Sequence, residues 1–557
     1  MDSGTATHMD PYIRSLTSLI EGVHNGAKKP SASKKPNKRE RTVQDSDLMV
    51  GQRIKHHIAD MTRRRTPIHH LPNELLANIF ALTLPSDHDS TKYYWDHLFG
   101  LRLVSKRWNG IIHETPSLWA QISSEYSDRE NKTAAHRSKD CPLQVYYSDE
   151  DFYEDCSQRA VFLNFASRLA YRWRSAEFDL YSHDAIPFLR SLVSLSAPSL
   201  EKLKIDCSGV REDVPIGEIN IFDGGADRLR HVDLYDFPIP WSSQLLSRLE
   251  TLKIEGSSPQ PGPSTSEITD ILRQCPELHA FTLSYHDEGE IRVSDATPSA
   301  ADVVPLPALT SLTLSLDNAN AVRRIVSSVR IPACTHFHTV CHGPAGNIFS
   351  NEASHLAPVL ISAIQSAPEI SLKLGGSEFS LKSLQIHISL KPDSALEDLT
   401  WLVEHTTGLA PWPPIAAKIF CDDALPFPQV AGLLCKMPSI TKLILLGDSD
   451  QYIAHLSYPI LSHGIHEWFL PNLRELRLED CPGNSPQLLI NLSSKRQEGA
   501  GTDRGDGVPL RLPMKLEIVY LELVNSRIYP RAGSLYGALL ELKGRGWDGY
   551  LIGCETS

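Results

Sequence analysis

The sequence predicts an α/β chain, with a short helical module near the amino terminus followed by an irregular solenoid of strand–helix units. Residues 68–122 carry apolar side chains at helical spacing. From Leu200 onward a phrase of three Leu-like residues, spaced three and then two apart, occurs nine times. No apolar run reaches membrane-spanning length, which places the chain among globular proteins.

With 557 residues, 41% hydrophobic and 22% charged, the chain can bury a large core. Its charge is uneven. Residues 1–66 hold 13 Lys/Arg against 7 Asp/Glu, so a formal net charge of −12 becomes +6 there and −18 over residues 67–557. That balance argues against a chain built as a whole to bind nucleic acid. Ten cysteines without a Cys-x-x-Cys pair fit free thiols in a reducing compartment. No basic-then-apolar segment opens the chain as a signal peptide would, so Asn131-Lys-Thr and Asn491-Leu-Ser are read as chance glycosylation sequons. The expected setting is cytoplasmic or nuclear, with no membrane contact.

Residues 1–44 read as a disordered basic arm. Lys28–Arg41 is a run of cations with Pro and Ser, suited to nuclear import, to electrostatic tethering, or to being a solvated tail. Residues 45–65 predict a short helix from Leu48, Ile54, Ile58 and Met61. Arg63–Arg65 would close it where positive charge complements the helix dipole.

Residues 66–123 form the helical module. Leu75, Leu76, Ile79, Phe80 and Leu82 fall at spacings that put most of them on one helical face after Pro72, whose missing N–H costs nothing at a helix start. Leu101, Leu103, Val104, Trp108, Ile111 and Ile112 repeat the period with Arg102, Lys106, Arg107 and Asn109 interleaved. Thr115-Pro116 predicts a cap and first helical residue, opening a turn through Leu118 and Trp119. Leu76, Ile111 and Ile112 are read as core. Ser86–Asp96 is read as a surface loop inserted between helices. A DNA-reading helix pair is disfavoured, because the second helix is apolar on too many sides to lie in a groove.

These residues resemble the F-box. Its pattern Leu-Pro-x-Glu-Leu-Leu-x-x-Ile-Phe is met by Leu71, Pro72, Glu74, Leu75, Leu76, Ile79 and Phe80. Leu-Arg-Leu-Val-Ser-x-x-Trp is met by Leu101 to Ser105 and Trp108, and Pro-Ser-Leu-Trp by Pro116 to Trp119. The loop over Ser86–Asp96 departs from the family's tight connection. The resemblance implies that the module docks on the Skp adaptor, and through it on a cullin. It implies a partner-binding set of Leu71, Pro72, Glu74, Leu75, Ile79, Phe80, Leu103, Val104, Trp108, Leu118 and Trp119.

Residues 124–160 are polar at first and read as a connecting segment, and residues 161–557 as a leucine-rich-repeat-like solenoid. The phrase occurs as Leu200-Leu203-Ile205, Leu229-Val232-Leu234, Leu249-Leu252-Ile254, Leu278-Phe281-Leu283 and Leu309-Leu312-Leu314. Later copies are Leu381-Leu384-Ile386, Ile440-Leu443-Leu445, Leu473-Leu476-Leu478 and Ile518-Leu521-Leu523. Steps from Leu200 to Leu229, Leu249, Leu278 and Leu309 are 29, 20, 29 and 31 residues, at or above the usual leucine-rich period. Ser266–Cys275, Ala319–Val329, His355–Ala367, Leu396–His405 and Val430–Met437 predict helices between phrases, so each unit is expected to hold a helix, a turn and a strand. Gly256–Pro263 and Ser493–Val508 read as flexible insertions. Ala532–Lys543 with Tyr550–Ile552 reads as the closing unit.

Signatures of enzymatic chemistry are missing: there is no P-loop, Gly-x-Ser-x-Gly, dinucleotide fingerprint or kinase signature. His336-x-His338-x-x-Cys341-His342 is the nearest approach to a metal cluster, but nothing nearby completes four ligands, and no cofactor is expected. Asp206, Asp236, Glu255, Asp287, Asp317, Asp448 and Asp480 follow the strands. They would either line an acidic rim or close turns. The expected inner-face positions between the last two leucine-like residues, Lys204, Asp233, Lys253, Thr282, Thr313 and Arg477, are mixed and single out no ligand class. The expected function is that of a non-enzymatic subunit of a Skp–cullin–F-box ubiquitin ligase, holding an unidentified protein target on the repeats. The alternative is a leucine-rich scaffold without a role in ubiquitination.

Overall fold

The computed structural model describes residues 67–85, 93–149, 156–181, 185–208, 219–222, 225–256, 262–285, 291–293, 303–341, 348–349, 355–375, 379–390, 392–406, 412–421, 427–457, 459–462, 465–479, 488, 491–492, 495–496, 518–522 and 548–552. The arm 1–44 and the helices expected over 45–65 and Ala532–Lys543 lie outside these residues. The chain divides into two compact units, Met1–Glu177 and Phe178–Ser557.

The first unit begins with helices α1 (Asn73–Thr83), α2 (Tyr94–Val104) and α3 (Lys106–Glu114), then a 3-10 turn over Pro116–Trp119. The apolar run over 101–112 is thus not one helix. Ser105 has extended backbone (φ −160°, ψ 159°), and its Oγ accepts the Trp108 N–H at 3.1 Å. The hydroxyl caps α3 and satisfies one of the free amides of its first turn. The inserted loop is also shorter than the sequence implied, because Tyr94, Trp95 and Asp96 already belong to α2 and both rings are buried. Residues 86–92 lie outside the described set. Thr115 precedes the 3-10 turn as expected, although its hydroxyl donates back to the Ile111 carbonyl instead of capping the turn.

Aromatic packing holds this unit together. Trp95 meets Trp119 at 5.6 Å and Tyr126 at 5.9 Å and 88°, while Phe80 lies 4.7 Å from Trp108. Edge-on ring pairs contribute about 0.5–1.5 kcal/mol beyond their buried area. Tyr94 donates to the Leu118 carbonyl (3.0 Å) and Trp119 to that of Ile112 (2.8 Å), so both buried polar groups are satisfied. Leu76, Ile111 and Ile112 are buried, as a core role requires.

Residues 124–160 are more than a connector. Ser127 and Glu130 form a capping box that starts α4 (Asp128–Arg137). Strand β1 (Gln121–Ser123) pairs in parallel with β2 (Leu143–Ser148). Asn131, from the formal sequon, is buried and bonded to the Ser123 and Tyr126 backbone, so its amide is committed to the fold. Helix α5 (Cys156–Ser167) leads to β3 (Trp173–Asp179), within which the division between units falls.

The second unit is a ladder of mostly parallel strands with helices between them. After α6 (Ala185–Ser191) come β4 (Lys202–Asp206), β5 (His231–Tyr235), β6 (Thr251–Gly256), α7 (Thr265–Gln274) and β7 (Ala280–Tyr285). The short β8 (Val304–Pro305) precedes β9 (Ser311–Leu316), α8 (Ala319–Ser327), β10 (Val329–Arg330) and β11 (His336–Cys341). Strands β4, β5, β6, β7, β9 and β11 pair in that order, all parallel. Period-2 alternation drives the register. Leu203, Val232, Leu252, Phe281, Leu312 and Phe337 form one buried row, and Ile205, Leu234, Ile254, Leu283 and Leu314 a second. Gly256 ends β6 where a Cβ would lie 2.5 Å from the Tyr285 ring.

Helices α9 (Ala357–Ser366), α10 (Pro392–Thr406) and α11 (Phe427–Cys435), together with α7 and α8, occupy the five segments where helices were expected. The 20-residue step between β5 and β6 holds only a 3-10 turn, Gln244–Leu246, so a helix in every unit is not observed. Beyond β11 the order departs from the chain. Strand β12 (Ile370–Leu374) pairs with β13 (Phe379–Lys382), which pairs with β14 (Ile386–Leu390), and both pairings are antiparallel. Strand β14 pairs with β11, and β12 with β15 (Ile415–Cys421), in parallel. The phrase Leu381-Leu384-Ile386 therefore spans a hairpin, and Leu384, 81% exposed, is at its turn.

Strand β15 continues to β16 (Ile440–Gly447), and beyond α12 (Asp450–Leu456) and the hairpin β17 (Pro459–Ser462)–β18 (Ile465–Trp468) the ladder resumes. Its last strands are β19 (Glu475–Glu479), β20 (Ile518–Glu522) and β21 (Asp548–Ile552). Within the segment expected as a flexible insertion, Arg496 is buried and donates to the Leu456, Phe469 and Leu470 carbonyls. Among the described residues no sheet closes on itself, and no helix is long and apolar enough to cross a membrane. Cys141, Cys207, Cys275, Cys334, Cys341, Cys421 and Cys435 are free thiols.

Candidate partner-docking surface

Arg107 on α3 sets the position of the motif at the start of α1. Its guanidinium donates to the Leu71 carbonyl (2.6 Å) and to the Asn73 side chain (2.8 and 3.1 Å). A planar fork can hold several acceptors in one fixed geometry, which ties Leu71–Leu75 to the third helix.

The eleven candidate residues divide by exposure. Phe80, Trp108, Leu118 and Trp119 are buried and form the module's own core. Leu71 and Ile79 are half-buried. Pro72, Glu74, Leu75, Leu103 and Val104 face solvent, with Leu75 at 49% and Leu103 at 84% exposure. Leu82, 86% exposed, and Phe99 add to the apolar surface, although neither belonged to the candidate set. Phe99 had a signal in the sequence, standing four residues after Trp95 and four before Leu103 on one helix face. Exposed apolar side chains concentrated on two short helices make this the candidate interaction surface.

In the second unit, the solvent face of the ladder aligns the mixed positions in one row: Lys204, Asp233, Lys253, Thr282, Thr313 and His338. Lys253 pairs with Glu255 at 2.8 Å and with Asp233 at 3.9 Å, and Lys204 with Asp179 at 3.5 Å. Further along, Lys418 and Arg477 both pair with Glu479, at 2.9 and 2.7 Å. His338 packs against His387 with ring centroids 4.3 Å apart and the rings tilted by 35°. Burial, then His387 and Lys382, hold His338 down at about 4, so its ring is neutral at neutral pH.

His336 and His338 share this face, whereas Cys341 is buried on the opposite one, so the three do not converge. His342 is outside the described residues. Of the acidic strand-exit residues, Asp206 accepts the Ser208 N–H (2.9 Å) and Asp448 that of Asp450 (3.4 Å), closing turns. Glu255 is ion-paired, and Asp287 and Asp480 lie outside the described set.

A family model described as F-box-like matches residues 68–125, which takes in α1 to α3, the 3-10 turn and β1. The matched segment is thus the module that carries the exposed apolar surface. No curated protein matches the chain.

Proposed function

We propose that the chain is the substrate-recognition subunit of a Skp–cullin–F-box ubiquitin ligase. F-box domains typically bind the Skp adaptor, and the observation that carries the reading is the apolar surface left open on the F-box-like module. Leu75, Leu82, Phe99, Leu103 and Val104 would become buried against the adaptor, with Pro72 and Leu71 beside them. Phe80, Trp108, Leu118 and Trp119 serve docking indirectly, by holding α1 and α2 in place.

The second unit is proposed to be an irregular leucine-rich-repeat solenoid that holds the target protein. The leucine positions aligned strand by strand over β4 to β9 support this, because such units bury their apolar face only by stacking. The chain contributes no reacting group in this reading. Its effect on ubiquitin transfer is positional, since holding two reactants together removes much of the entropic barrier.

The test is capture of a purified Skp adaptor by the full chain. Leu71→Ala with Pro72→Ala should abolish capture while the far-ultraviolet circular dichroism spectrum stays the same. Undiminished capture by that double variant would remove this face as the docking site.

A further inference from the structure

Around Trp119 the first unit gathers positive charge with no paired carboxylate among the described residues. Arg102, near the end of α2, donates through Nε to Asn109 at 2.9 Å, and its Nη2 stands 3.0 Å from His113 Nε2. Arg137, in the last turn of α4, places Nη1 against His113 Nδ1. The two guanidinium groups lie 5.7 and 4.5 Å from the Trp119 ring centroid, and His113 stacks on the same ring at 6.0 Å.

This arrangement is electrostatically unsatisfied. Burial first, then Arg137 and Arg102, push the proton off His113, and burial, then Arg137, oppose the charge on Arg102. A neutral imidazole has a single acceptor nitrogen. Guanidinium donors face both ring nitrogens, so one of the two contacts sets donor against donor. Among the described residues no carboxylate pairs with Arg102, His113 or Arg137. All three are half-buried, which leaves them open to a small solute.

We propose that Arg102, His113 and Arg137 form an oxyanion-binding site beside Trp119, taking a phosphate or a carboxylate group. Guanidinium forks match the oxygen spacing of both groups and bind them with short, charge-assisted hydrogen bonds. The anion would separate the two cations and give every opposed donor an acceptor. Arg102 also lies 5.0 Å from the Phe99 ring centroid, so the site borders the proposed docking surface, and anion binding by the chain without adaptor is the readout that separates the two.

The experiment is calorimetric titration of the full chain with inorganic phosphate and, separately, with acetate, at constant ionic strength. Wild type should bind at least one of them saturably. Arg102→Gln with Arg137→Gln should weaken that binding about tenfold or more, and Arg137→Lys, which keeps the charge but loses the fork, by less. Response to phosphate alone or acetate alone assigns the ligand class. Near-ultraviolet circular dichroism checks that the double variant folds, and Arg137→Gln alone replaces it if it does not. Absence of saturable binding of either anion by wild type, or equal affinity in wild type and variant, overturns the proposal.

Discussion

Replacing Leu75 and Leu103 together by Ala tests the docking surface most directly, because it removes apolar area the free chain does not use. Leu103 leaves 84% and Leu75 49% of its surface in solvent. Fully burying a leucine stabilises by about 1.5–3 kcal/mol, so burying these exposed fractions against a partner contributes about 2–4 kcal/mol. Alanine retains one of the four side-chain carbons, leaving roughly 1.5–3 kcal/mol to lose, or about ten- to 150-fold in Kd. Calorimetry with a purified Skp adaptor measures that loss, and a thermal melt of the same sample reports the fold. The melting temperature should hold, since neither side chain lies in the core. Trp108→Ala is the contrasting control. That ring is 3% exposed, and its removal should cost about 3–5 kcal/mol of stability. A change in Kd below about threefold for the leucine pair, or a melting loss like that of Trp108→Ala, would refute the assignment.

Two further outcomes concern the second unit. Leu476, fully buried between Leu443 and Val519, should cost about 2–5 kcal/mol when replaced by Ala, and a loss under about 0.5 kcal/mol in chemical denaturation would remove it from the core. Asp398 accepts the Phe349 and Ile348 amides, yet burial outweighs those bonds and pushes its carboxyl up to about 7. The folded value lies above the ordinary 3.8, so this group's stabilisation is complete in acid and is lost as pH rises through about 7. Asp398→Asn should therefore flatten the fall in melting temperature between pH 5.5 and 8. Identical slopes in the variant and wild type would clear the carboxyl of that role.

How far the sequence could be read depended on whether burial and residue type coincided. Rows such as Leu203–Val232–Leu252 were legible because the ladder buries alternate residues and fills them with large aliphatic groups. Strands β11 and β15 were not found as phrases. Their buried positions are Phe337 and Thr339, and Ile415, Ala417 and Ile419, which keep the period but abandon leucine. Leu381-Leu384-Ile386 was misread for the converse reason: a hairpin reproduced the spacing while putting its middle leucine in water. Ser105 hid a helix boundary inside a continuous apolar run. In the F-box-like module the motif order named the right stretch but could not separate Phe80 from Leu75. A face turned to the core and a face turned to a partner are both apolar, and only the packing of Trp108 against Phe80 tells them apart.

The reversed strand β13 changes how this protein can be cut. In an array of units stacked in chain order, one unit can be deleted and its neighbours brought together with their edges still matched. Here β11 finds its next partner in β14, after β12 and β13 have been made, and β12 faces onward to β15. Residues 370–390 thus act as a clasp whose three strands must be kept or removed together. Shortened versions trimmed from either end should tolerate boundaries up to this point, where a cut severs one strand pairing, whereas a boundary within it would sever three at once and leave several bare strand edges, prone to pairing with other chains.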